Sequence, residues 1–203
     1  MKRLLIPCAA FLLAACAGGG TKAPDIARYD LGIAPLGGGS QALTVRAVEF
    51  AVPSWLATPA MQYRLAYADM GRRESYAASR WAAPPAELLE VAMRRRLVSG
   101  SGEAGNSGCR LRLELDEFVQ VFDAPKASRA VLDGRILLLA PRGDQILARR
   151  NLNLSRTTPT ADAPGGVAAF VGLTEQVNND TAVWLAKLAG DDPGLVQRCR
   201  GNQ

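Results

Sequence analysis

The 203-residue chain contains no histidine, so its covalent chemistry would rest on four cysteines, a few lysines and its serines. That absence excludes a Ser-His-Asp or Cys-His nucleophile, an imidazole base near neutral pH and any histidine-containing metal cage. A Ser-Lys dyad stays formally open. Behind the first few residues, however, lysine stands only at Lys22, Lys126 and Lys187, none of them in a recognisable catalytic motif. The G-x-S-x-G elbow of α/β-hydrolases does not occur. Gly100-Ser101-Gly102-Glu103-Ala104-Gly105 matches G-x-G-x-x-G in letters. A helical pattern precedes it and a strand pattern follows, the reverse of the order that points a helix N-terminus at a pyrophosphate. The residue types therefore predict no catalytic residue, no metal and no cofactor, and a non-enzymatic protein.

The cysteines are informative through their positions. Lys2 and Arg3 precede an apolar run from Leu4 to Leu13 that is too short to span a bilayer as a mature helix, the pattern of a signal peptide over residues 1–15. The run closes on Leu13-Ala14-Ala15-Cys16, which resembles the lipobox of bacterial lipoproteins, where the cysteine is acylated and becomes the first residue. The competing reading is an ordinary secretory signal with an Ala-x-Ala-like cut and a spare cysteine. Each buried methylene of an acyl chain contributes about 0.8 kcal/mol, so a multiply acylated Cys16 would hold the protein on a membrane permanently. Ala17, rather than Asp, follows the cysteine; by the sorting rule of Gram-negative lipoproteins this implies the outer membrane, on its periplasmic face. Residues 16–27, with Gly18-Gly19-Gly20, read as a flexible tether, and residues 28–203 as one folded domain.

Cleavage would remove Cys8 and acylation would consume Cys16, leaving Cys109 and Cys199 in an oxidising compartment. They either form a disulfide or remain two free buried thiols. A disulfide would close a loop of about 90 residues, for which chain entropy gives roughly 4 to 5 kcal/mol.

The formal charge of +5 does not point to nucleic acid. Lysine occurs four times, so arginine makes up the other 20 of the 24 basic residues; they are scattered, and aromatics are 6% of the chain, whereas a binding stripe needs clustering. The run Arg94-Arg95-Arg96 falls where a helix would end, and there cations complement the helix dipole. Removal of Lys2 and Arg3 with the signal lowers the charge to about +3.

The elements that would position these residues follow from periodicity. Strands are predicted over residues 43–50 and 61–68, with a turn at Gly71-Arg72-Arg73 and a short strand at 74–77. Leu88, Leu89, Val91, Ala92, Met93 and Leu97 predict a helix over 85–98, followed by a Gly/Ser-rich loop over 99–108. Three strands follow as an antiparallel meander over 109–122, 127–140 and 145–155, with a bulge at Asp116-Glu117. Val167, Phe170, Val171, Thr174, Val177, Thr181, Trp184, Leu185 and Leu188 predict a long amphipathic helix ended by the run from Gly190 to Gly194, with Phe170 and Trp184 in the core. The expected fold is α+β: a single domain with a mixed, mostly antiparallel sheet and two main helices on one face.

A short segment Arg28-Tyr29-Asp30-Leu31, then Val52-Pro53-Ser54-Trp55-Leu56, Met61-Gln62-Tyr63-Arg64 and Arg80-Trp81-Ala82-Ala83-Pro84-Pro85 opening a helix, occur in this order behind the lipobox. The chain thereby resembles the ABC-type transport auxiliary lipoproteins over nearly its whole mature length. The resemblance implies an accessory role at the inner leaflet of the outer membrane, with an MCE-domain protein, an ABC permease and an ATPase as partners in lipid movement. Homo-oligomerisation stays open. So do a scaffolding role in another envelope complex and a Ser-Lys hydrolase.

Trp55, Arg80 and Trp81 are the candidate partner contacts, since Trp and Arg are enriched at interface hot spots. For Arg80-Trp81 the competing role is structural, with a packed Trp81 and with Arg80 paired to a carboxylate.

Overall fold

Cys109, Leu111, Leu113 and Leu115 alternate with Arg110, Arg112 and Glu114, and in the structure, a computed structural model, the first set is buried and the second half-buried along strand β5 (Cys109–Ala124). The structure describes residues 25–32, 43–98 and 108–200. The signal peptide, Cys16, the start of the tether and the Gly100–Gly105 run lie outside them.

Strand β5 is the spine of the sheet. Around it stand β1 (Ala27–Tyr29), β2 (Val45–Ala51), β3 (Ala60–Leu65), β4 (Asp69–Trp81), β6 (Ala127–Leu139) and β7 (Ile146–Thr157). One edge of β5 pairs antiparallel with β6, which pairs antiparallel with β7. Two strands share its other edge in parallel: β2 runs beside residues from Cys109 to Glu114, and β3 beside Gln120 to Phe122. The register shift between Leu115 and Glu117 falls between those two stretches, so the expected bulge sits where β5 changes neighbour. Outside β3, β4 pairs antiparallel and β1 adds a short parallel strand.

Helices α1 (Pro85–Leu97), α2 (Ala163–Asp191) and α3 (Pro193–Arg200) complete the described chain. Leu89, Met93 and Leu97 recur every four residues on α1, and Phe170, Leu173, Val177 and Leu185 fall at helical spacing on α2; all join the same buried cluster as the inward residues of β5. Both main helices thus cover one face of the sheet, as the periodicity predicts. Pro85 opens α1, Glu87 lies in its first turn and Arg94, Arg95 and Arg96 in its last, so the charges match the macrodipole at both ends. Among the described residues no helix is long and apolar enough to cross a membrane.

Two expectations need correction. The hairpin between β3 and β4 turns at Ala66, Tyr67 and Ala68, and Gly71-Arg72-Arg73 lies inside β4, which runs 13 residues rather than four. The run from Gly190 to Gly194 does not simply end a helix: α2 continues to Asp191 and α3 starts at once, because Asp192 accepts the Leu195 N–H at 3.0 Å and Pro193 fits a first helical turn. The parallel pairings of β1, β2 and β3 beside the antiparallel meander make the sheet mixed, as expected.

Cys109 and Cys199 form a disulfide, and both are fully buried. The bond fastens α3 to the first residue of β5.

Candidate interaction surface on the open face of the sheet

The face of the sheet opposite the helices carries side chains of alternating register, and strand pairing decides which charges meet. Arg64 of β3 lies opposite Val121, and Arg73 of β4 reaches the same region from the next strand. Glu117, placed at the bulge of β5, receives both: Arg64 Nη2 at 2.9 Å and Arg73 Nη2 at 2.8 Å. Arg73 also donates to Gln62 Oε1 at 2.7 Å, Gln62 Nε2 donates to the Trp55 carbonyl, and Arg64 donates to the Met70 carbonyl at 3.0 Å. One continuous hydrogen-bonded chain therefore joins the short 3₁₀ turn Ser54–Leu56 to the start of β4. Two guanidinium groups on one carboxylate leave its centre positive. Trp55 stands at one end of this chain, 51% exposed, and Met70 at the other, also exposed.

Neighbouring charges extend the pattern. Glu49 of β2 receives Arg110 at 2.8 Å and Arg112 at 3.3 Å, and Asp144 takes the same two arginines at 3.0 and 3.1 Å. Asp133, opposite Glu117 in the β5–β6 register, has its carboxyl pushed up, first by burial and then by the Glu117 charge. Val119, Val121 and Val131 are buried on this face as a small second cluster.

Behind the sheet a buried polar network joins β4, β5, β6 and the start of α2. The Tyr76 hydroxyl donates to Gln120 Oε1 at 3.0 Å, and Gln120 Nε2 donates to Ser128 Oγ at 2.9 Å and to the Asp162 carbonyl at 3.1 Å. Ser128 Oγ and Thr158 Oγ1 are 2.7 Å apart. Burial raises the Tyr76 phenol and the Asp162 charge adds to it, so the hydroxyl stays a donor at any physiological pH. The satisfied amide fixes where α2 begins. Asp162 caps that helix through the Gly165 N–H at 2.8 Å, and the Thr160 hydroxyl, then this N–H, hold its carboxyl below the usual range.

The candidate contacts separate clearly. Trp81 is 2% exposed, its ring 5.6 Å from those of Phe118 and Phe170, which stack at 4.0 Å. Its indole fills the core, the structural role of the two considered. Arg80 is half-buried and donates to the Tyr76 carbonyl at 2.7 Å, where a carboxylate partner was expected. Phe170 is buried and Trp184 half-buried, both packed in the main core. Trp55 alone of the three lies at the surface.

Gln62, Arg64, Arg73 and Glu117 were not singled out from the sequence as site residues, although Met61-Gln62-Tyr63-Arg64 carried the family resemblance and Asp116-Glu117 marked the bulge. Their signal was the polar half of each alternation; their convergence depends on parallel pairing that a linear reading does not contain. Neither described lysine reaches a serine hydroxyl: Lys187 Nζ pairs with Asp191 at 2.6 Å, and Lys126 sits in the β5–β6 turn. Among the described residues no group of three or more Cys, Asp or Glu side chains could hold a metal ion.

The family model described as the ABC-type transport auxiliary lipoprotein component matches residues 34–182. No curated protein sequence matches the chain. Among solved structures, a protein from Xanthomonas campestris of family DUF330 superposes with a TM-score of 0.65 at 16% identity, over 81% of this chain and 96% of its own. A second, titled only as an uncharacterized protein, gives 0.62 at 17% identity, over 79% of this chain and 99% of its own. At such identities the likeness concerns the fold.

Proposed function

The chain belongs to the ABC-type transport auxiliary lipoprotein family, and from that premise we propose that it is a lipid-anchored periplasmic accessory of an MCE-type ABC lipid transport system. In this reading it docks or stabilises the MCE assembly at the outer membrane and performs no catalysis itself. The observation that carries it is the family match across 34–182, the region that holds the whole sheet from β2 onward and most of α2. The lipobox at Cys16 supplies the anchor, and Ala17 after it favours the outer membrane.

Trp55 and the adjoining Gln62-Arg73-Glu117-Arg64 chain form the partner contact. An exposed indole on the turn whose carbonyl holds Gln62, which in turn holds the half-buried, mutually fixed arginines, has the composition of a hot spot, and the ion pairs hold the guanidinium groups in place before a partner arrives. Arginines already bound to Glu117 lose little conformational freedom on association.

Co-purification tests the reading. The native chain extracted in mild detergent should bring an MCE-domain protein with it, and mass spectrometry should find an acylated Cys16 at the N-terminus. Reproducible absence of any MCE protein refutes the role, and an unmodified Cys16 refutes the anchor.

A further inference from the structure

Strand β7 ends the sheet: it pairs with β6 along its 12 residues, and among the described residues nothing pairs with its other edge. Alternate residues there present N–H and C=O groups with no strand to meet them. Folded proteins blunt such an edge by shortening it, inserting proline, lining it with charged side chains or covering it, because it is a template for another strand. This one is long and contains no proline.

Its charge is also of one sign. Arg149, Arg150 and Arg156 lie on β7, which has no Asp or Glu. Elsewhere on the sheet Arg64, Arg73, Arg110, Arg112 and Arg135 each hold a carboxylate. On β7, Arg150 reaches Asp180 at 3.7 Å, while Arg149 and Arg156 are exposed and meet no carboxylate among the described residues. Arg149 is opposite Leu137, on the open face; Arg156 is opposite Ala130, on the helix face, with its guanidinium over Gly172 of α2. Unpaired backbone and uncompensated positive charge therefore coincide on both faces of the same edge.

We infer that the β7 edge takes up an extended acidic segment of a partner protein as an added strand. Main-chain pairing supplies the attachment, and Arg149 and Arg156 select carboxylates at its two ends. A second copy of this chain fits poorly, because two β7 edges would bring arginines together with no acid between them. The inference does not rest on the transport role: it concerns any partner with an acidic extended segment.

The test uses the full mature chain in detergent and two labelled peptides of 12 residues built from Thr and Val. One carries four Glu, two on each face of the extended strand, and the other four Lys at the same places. Fluorescence anisotropy should show the Glu peptide binding at least about tenfold more tightly, and the double variant Arg149→Glu/Arg156→Glu should reverse the preference. Hydrogen exchange should show alternate amides of β7 gaining protection with the Glu peptide. Unchanged exchange in β6 of the variant verifies that it remains folded. Equal binding of the two peptides, no binding, or protection that appears away from β7 overturns the inference. So does protection of β7 that grows with protein concentration alone, which would identify a second copy as the occupant.

Discussion

Gly166 at the start of α2 lies so close to Gln120 that a β-carbon on it would run into Oε1 of that amide. Gln120 cannot easily yield, since Tyr76, Ser128 and the Asp162 carbonyl all hold it. Glycine is required there by the close approach of helix to sheet.

Gly166→Ala should therefore destabilise the protein by about 1 to 3 kcal/mol, the usual range for overpacking. Gly190→Ala, in the same helix with open space around it, should stabilise by roughly 0.5 to 1 kcal/mol. Urea unfolding monitored by circular dichroism separates them; a shift of both midpoints in the same direction contradicts the role assigned to Gln120.

The tryptophans should divide in the same manner. Trp81→Ala removes the ring that packs edge-on against Phe118 and Phe170, at a cost of about 3 to 5 kcal/mol. Trp55→Ala should change stability by less than about 0.5 kcal/mol while weakening partner binding. Thermal unfolding of the two variants is the check, and equal losses would place both indoles in the core.

These contrasts show what the linear chain makes legible. Leu89, Met93 and Leu97, the alternation that starts at Cys109, and the long run from Val167 to Leu188 all declare an apolar face by spacing, so the meander and both main helices are visible. Strand direction is not encoded in spacing two: nothing around Tyr63 or Glu49 states that β2 and β3 share one edge of β5. The turn assigned to Gly71-Arg72-Arg73 failed because Arg73 is held in a strand by Glu117, 44 residues away. Helix α3 was missed although Asp192-Pro193 is a helix-start signal, because the same residues also read as a stop for α2. Trp55 and Trp81 look equivalent in the chain; only tertiary packing separates them.

Loss of the disulfide should matter most for the C-terminal segment. Cys199→Ser opens a loop with a sequence separation of 90, and chain entropy sets the cost at about 4 to 5 kcal/mol. Denaturant titration with and without reductant should show the wild-type protein falling to the level of the variant. No response of the wild-type protein to full reduction would contradict the assignment.

Two aspartates should give opposite pH dependences. The Asp162 carboxyl is held down by Thr160 and the Gly165 N–H, so its capping stabilisation is complete above the ordinary carboxylate range and is lost as pH falls through the folded value. Asp162→Ala should cost roughly 1 kcal/mol at pH 7, with the difference narrowing in acid. The Asp133 carboxyl is raised by burial and by Glu117, so its contribution is favourable in acid and fades as pH rises through the folded value. Asp133→Asn should therefore stabilise the protein at pH 7 and not at pH 3. Unfolding free energies across this range decide it; parallel pH profiles for the two variants would contradict both assignments.

Placement of a photo-crosslinking residue at position 55, exposed in the 3₁₀ turn, and at position 91, exposed on α1, tests the central claim in the intact envelope. An adduct between position 55 and an MCE-domain protein, with none from position 91, is the predicted result. Membrane-bound, folded protein that yields no MCE adduct from position 55 would contradict the claim.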